Sequence, residues 1–110
     1  MYQWVKNLYG QYIEGRSPKW PKERAEWLKE HDFCRACGRK DHLQVHHKVP
    51  FHIDKSKELD RDNFITLCEN TPENDHLVVG HNGNWKNYNP NVEEDCDKLL
   101  ATRMKQNALS

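Results

Sequence analysis

Two cysteines one tight turn apart, Cys34 and Cys37, with a third at Cys68, constrain this chain more than any other feature. A Cys-x-x-Cys turn surrounds thiolates with backbone amides, and Gly38 just after it relieves the turn. Cys68 ends a strand-like run and could return a third thiolate to the same point, where a tetrahedral zinc needs four ligands. The chain has 110 residues, enough for one core and short enough that a metal crosslink adds useful stability. We therefore read residues 1–110 as a single domain, with a core at about 34–85 and flanks at 1–33 and 90–110. Four Trp, four Tyr and three Phe supply the bulk for a compact core despite the high charged content.

The N-terminus lacks a signal-peptide pattern, and no run approaches the ~20 apolar residues of a membrane span, so a cytoplasmic protein without membrane contact is expected. In a reducing cytosol a Cys-x-x-Cys pair reads as metal ligands or redox thiols before it reads as a disulfide. A thioredoxin-like redox pair would need a βαβ setting, which the flanking sequence lacks, and unrelated small core residues are the plainer alternative. For the fourth zinc ligand Asp75, His42, His31 and His81 are all chemically acceptable, whereas Cys96 falls inside a predicted helix.

Formal net charge is zero with seven His uncounted, so composition alone does not announce a nucleic-acid binder. The distribution is uneven. Residues 1–60 carry 12 Lys and Arg against 9 Asp and Glu, and residues 61–110 carry 5 against 8, which leaves room for a basic face.

Trp4, Val5, Leu8, Tyr9, Tyr12 and Ile13 recur at helical spacing and predict a short first helix, weakened by Gly10 and stopped by Gly15. A second helix is predicted from about Pro21 to His31. Leu43 to His47 alternates as a strand ending near Pro50, residues 51–62 read as a polar loop, and Asn63 to Cys68 reads as a second strand, giving a hairpin. His76 to Val79 fits helix or strand equally, and residues 80–90 are rich in Gly and Asn. A last helix follows Asn91, with Glu93 and Glu94 in its first turn, and runs through Leu99 towards Gln106.

His46 and His47, adjacent on a strand, point to opposite sides, so one imidazole can hold a metal while its neighbour meets a water molecule. Such a pair is usually ordinary surface or core, but here it arrives with a cysteine knuckle and with His76. The pattern Cys34-x-x-Cys37, Leu43-Gln44-Val45-His46-His47, Asp62-Asn63-Phe64-Ile65-Thr66-Leu67-Cys68 and His76 resembles the HNH endonucleases over roughly residues 34–85. The run Gly80-His81-Asn82-Gly83-Asn84-Trp85 is similar to that of some phage-associated members.

The resemblance implies an α+β fold, a ββα-metal core with a zinc knuckle and flanking N- and C-terminal helices. It implies a metal-dependent DNA endonuclease that hydrolyses phosphodiester bonds, nicking one strand or cutting both. His46 and His76 would ligate a catalytic magnesium, manganese or zinc ion, His47 would be the general base, and Asn63 would brace the loop that orients His47. His81 is either a third ligand or a phosphate-contacting or capping residue, five residues from His76 being awkward for one helical face. Family members commonly place the last zinc cysteine just before the metal-binding histidine. Here that position is Asp75, which therefore ranks first as the fourth ligand to a structural zinc.

Arg35, Arg39, Lys40, Lys48, Arg61 and Lys86 flank the site and are candidates for phosphate contact, each being a solvated surface charge on the plainer reading. Trp85 and Tyr88 read as core residues before they read as base-stacking ones. The rival function is a non-catalytic, zinc-containing nucleic-acid-binding module. That reading gives no chemical reason for His46, His47 and His76 together. A chain this short has little room for sequence reading, so weak preference or dependence on a phage or mobile-element protein is expected, with the chain a monomer or weak dimer.

Overall fold

In the computed structural model, which describes residues 3–6 and 12–109, the stretch read as a first helix is instead two antiparallel strands, β1 (Gln3–Lys6) and β2 (Tyr12–Arg16). Val5 pairs with Ile13 and Lys6 with Tyr12. The apolar spacing there fits a helix, but Trp, Val, Tyr and Ile are strand-favouring types, and the pairing of the two segments overrides the weak local period. Leu8, Tyr9 and Gly10, which belonged to the same expectation, lie outside the described residues.

Helix α1 (Trp20–Glu30) follows, within a residue of its expected bounds. Pro21 sits in its first turn, where a missing N–H costs nothing, and Glu23 and Lys29 complement the helix dipole at its two ends. None of its residues is fully buried. It docks instead through two indoles: Trp20 and Trp27 both meet the Phe64 ring edge-on at 5.4 Å. Trp27 Nε1 donates to Thr66 Oγ1, which in turn donates to the His31 carbonyl, so one threonine fastens the end of the helix.

Strands β3 (Leu43–His47) and β4 (Phe64–Cys68) form the expected antiparallel pair, in the register Leu43 to Cys68, Val45 to Thr66 and His47 to Phe64. Every residue of β4 is buried. The connection between the strands holds two 3-10 turns, Lys55–Lys57 and Arg61–Asn63, each opened by an aspartate, Asp54 and Asp60, whose carboxylate accepts a backbone N–H two residues on. Asn63, expected at the start of the second strand, closes the latter turn.

Beyond β4 the chain makes one π-helical turn at His76–Gly80 and then enters α2 (Val92–Leu109). Asn89 joins these parts: buried, it donates to the Val79 carbonyl and to Asp95 and accepts from the Asn91 N–H. The core gathers Cys34, Ala36, Ile65, Leu67, Cys68, Val79, Val92 and Cys96. Among the described residues no helix is long and apolar enough to cross a membrane.

Candidate metal centres

The knuckle closes through Cys34 N–H donating to the Arg39 carbonyl and Gly38 N–H to the Cys34 carbonyl. Gly38 has φ of +78° with open space around its Cα, so backbone conformation rather than room makes glycine suitable there. This turn, the end of β4 and the residue before the π-helical turn bring Cys34, Cys37, Cys68 and Asp75 together, with one ligand atom of each within 4.8 Å of the others. Cys37 Sγ lies 3.9 Å from Cys68 Sγ, and Asp75 Oδ2 lies 3.3 Å from Cys34 Sγ and 3.5 Å from Cys68 Sγ. A tetrahedral zinc with Zn–S of about 2.3 Å and Zn–O of about 2.0 Å has S···S edges of about 3.8 Å and S···O edges of about 3.5 Å. The cluster therefore fits zinc. Of the other residues weighed for the fourth position, none is gathered here.

Three thiolates and a carboxylate leave two excess negative charges around a divalent ion. Arg103 of α2 offsets one: its guanidinium grips both Asp75 oxygens, at 3.0 and 3.1 Å, and also donates to the Ala36 carbonyl. Burial pushes the Asp75 carboxyl up, but hydrogen bonds from Arg103, Cys34 and Cys37 hold it below the ordinary carboxylate range. Without an ion, burial raises the Cys34 thiol far above its usual range and Cys37 to about 11, so both keep their protons at neutral pH. Cys96 stands apart in α2, buried, its thiol raised to about 12 chiefly by burial.

The second cluster is made of histidines. His46 on β3, with His76 and His81 at the two ends of the π-helical turn, forms a triangle of imidazoles with ring centroids 5.1, 4.8 and 5.0 Å apart. Each offers one nitrogen within 4.8 Å of the others. The remaining nitrogens of two rings are already committed: His76 Nδ1 bonds to the buried Glu69 carboxylate at 2.9 Å, and His81 Nδ1 donates to the Asn87 carbonyl at 2.9 Å. Such partners fix the tautomer and leave Nε2 as the ligating atom. His46 Nε2 is one of two buried side-chain polar atoms without a hydrogen-bond partner among the described residues. A buried orphan of this kind calls for an explanation, and an ion between the three rings supplies one. Burial, reinforced by His76, His81 and His47, drives His46 well below the usual histidine range, so it is neutral and able to ligate. Burial lowers His81 as well, against the opposing bond to Asn87.

The spacing that made His81 awkward is resolved by the π-helical turn. An i→i+5 turn carries residues five apart to the same side, which an α-helix does not. Gly80 completes the turn with its Cα close against the His46 ring.

His47 faces the other side of β3, against Trp20 at 4.6 Å and Phe64 at 5.3 Å between centroids. Its Nε2 meets the Glu58 carbonyl at 2.9 Å. A carbonyl only accepts, so Nε2 carries the hydrogen and the neutral ring has its lone pair on Nδ1. Asn63 holds both approaches to this arrangement. Its Oδ1 accepts from Val49 N–H at 2.7 Å, and its Nδ2 donates to the carbonyls of Val49 and Lys57, the residue before Glu58.

Residues 34–70 match the model of the HNH endonuclease family. No curated protein and no solved structure matches the chain. The HNH segment points to nuclease or nucleic-acid-binding activity, and members of the family are generally nucleases. It contains Cys34, Cys37, His46, His47, Asn63 and Cys68 and stops short of Asp75, His76 and His81, which only the folding of the chain brings to the two clusters.

Two consecutive pairs connect the two clusters. In Cys68-Glu69 the first residue belongs to the thiolate cluster and the second holds His76; in Asp75-His76 the first belongs to the thiolate cluster and the second to the imidazole one.

The basic residues singled out from sequence are mostly engaged within the chain. Arg39 pairs with Asp41 and Glu73, Lys48 with Glu93, Arg35 with Asp97 and Glu93, and Arg61 with Glu23, Glu26 and Glu30. Lys40 and Lys86 are exposed. Arg24, which sequence reasoning passed over, donates to Gln44 Oε1 at 2.6 Å. Gln44 precedes His46 by two residues and so shares its face of β3. Glu69 was also passed over; its signal was no more than a carboxylate directly after an apolar strand. Trp85, expected in the core, is 42% exposed and lies edge-on to His76 and tilted against His81, 5.0 Å from each. Tyr88 is half-buried.

Proposed function

We propose that the protein is a metal-dependent DNA endonuclease that hydrolyses phosphodiester bonds, with His47 as general base. The observation that carries this reading is the orphaned His46 Nε2, buried and grouped with His76 and His81, one residue from an imidazole held in a single tautomer.

A divalent cation held by His46, His76 and His81 would relieve charge on the phosphate and the departing oxygen. Three imidazoles suit zinc better than magnesium, which prefers oxygen donors and keeps several waters. His47 takes the proton of the attacking water at Nδ1 while Nε2–H stays bonded to the Glu58 carbonyl. Trp20 and Phe64 limit how far that ring can turn, and Asn63 holds the loop bearing Glu58. Arg24, bonded to Gln44 on the His46 face of β3, is a candidate to hold a phosphate oxygen. The thiolate cluster, a zinc site on this reading, braces the open end of the hairpin, where Leu43 pairs with Cys68, and takes no part in the chemistry.

The test is relaxation of supercoiled plasmid with zinc, manganese, magnesium or chelator, using the wild type and a folded His47→Ala protein. Metal-dependent nicking that falls by about 10²–10⁴-fold in the variant is expected. Cutting that survives the substitution removes His47 from the role of base. Binding of DNA with no cutting under any metal puts the binding-module reading in its place.

A further inference from the structure

Trp85 is the one large aromatic ring exposed beside the imidazole cluster among the described residues. Its loop is built to hold it there. Asn84 N–H donates to the His81 carbonyl, Asn87 N–H to the Asn84 carbonyl, and Lys86 N–H to Asn84 Oδ1. His81 Nδ1 binds the Asn87 carbonyl across the same loop, so the ligand and the loop fix each other. The indole keeps 42% of its surface exposed, and the loop places the rest against two rings whose nitrogens are candidate ligands.

We propose that Trp85 is a stacking platform for an unpaired base next to the scissile phosphate, so that the preferred substrate is DNA with locally single-stranded character. This rests on the nuclease reading above. A base inside a duplex is stacked on both faces and has no π-face to offer, whereas a base at a nick, flap, junction or single strand does. Lys86, exposed and adjacent in the loop, is the candidate contact to that strand's backbone.

The test measures binding rather than cutting. In a His47→Ala background, so that the probe survives, the affinity for a labelled single-stranded oligonucleotide and for its duplex is measured by fluorescence anisotropy at fixed salt. Trp85→Ala is expected to weaken single-strand binding by about 5- to 150-fold, the range for loss of one base–aromatic stack, with less than about twofold change for the duplex. Trp85→Phe should restore most of the loss and Trp85→Leu should not, which separates stacking from simple packing. Circular dichroism and metal content establish that each variant is folded. Equal single-strand affinity in Trp85→Ala, full rescue by Leu, or a parent that does not bind single strands overturns the proposal. Failure of the nuclease reading shows separately, as wild-type protein that does not cut plasmid.

Discussion

Gly80→Ala is a sharp test of how tightly the imidazole cluster is built. A Cβ at this position would lie 3.1 Å from His46 Nδ1, 3.2 Å from His46 Cε1 and 3.1 Å from Leu67 Cδ1. Carbon atoms at ease are about 3.5–4.0 Å apart, so something must give by roughly 0.4 Å. Leu67 is fully buried in the core, and the His46 ring, itself 3% exposed but planar and able to tilt, is the group expected to yield. Without an ion that ring can tilt, and alanine gains about 0.8–1.0 kcal/mol over glycine in helical backbone against about 1–3 kcal/mol for overpacking. Metal-free stability should therefore fall by no more than about 2 kcal/mol. With an ion bound the ring cannot tilt, because ligand distances tolerate only about 0.2 Å of error. We expect the affinity of this centre to fall by about 10- to 100-fold, the cost typical of disturbing a ligand's support. The assay loads the thiolate centre with zinc and titrates cobalt into the full chain. Thiolate-to-cobalt charge transfer would betray any exchange at the cysteines. If Gly80→Ala binds cobalt as tightly as the wild type, the backbone yields instead of His46, and the inference that close approach demands glycine here is wrong.

Arg103→Ala leaves the fully buried Asp75 carboxylate without its cation and should cost about 3 kcal/mol in urea unfolding of the metal-free chain. Zinc supplies compensating charge, so the loss should shrink when the metal is bound; equal losses in the two states would dissociate Arg103 from the thiolate centre. Zinc affinity at that centre should rise steeply with pH. Cys34 and Cys37 are held above their usual thiol range and are protonated at pH 7 in the metal-free chain, so loading releases at least two protons. Each unit of falling pH should then weaken binding by about 100-fold, and calorimetry in buffers of different ionisation enthalpy would count the protons. A slope near zero would mean thiolates already formed before the metal arrives.

Much of the site was legible because strand periodicity and cysteine spacing are local. Adjacency of His46 and His47 on a strand already separates their directions, and the residues from Leu43 to His47 form that strand. Asp75 emerged from its place before His76 in the family pattern, and the chain brings it to the three cysteines. The role of His81 was left open between ligand and phosphate contact or cap, because its spacing was judged by an α-helical period and the turn is π-helical. The N-terminal error has a similar origin: apolar residues three and four apart read as helix, while strand pairing between separated segments leaves no local period. The phosphate candidates were ranked by nearness in sequence, and carboxylates distant in sequence claim Arg35, Arg39, Lys48 and Arg61, whereas Arg24 reaches the His46 face from a helix.

The pairs Cys68-Glu69 and Asp75-His76 each contribute one residue to either centre, and this governs where the chain can change length. An extra residue inside either pair would turn one centre out of phase with the other. Residues 70–74 lie between the two anchored pairs, and this stretch includes two asparagines, Asn70 and Asn74, in left-handed conformation. Thr71 ties the stretch to the thiolate centre, donating to Cys68 Sγ and accepting from Asn74 N–H, so in chains built on this plan an added residue is better tolerated between the two pairs, where this bond can be kept, than inside either one.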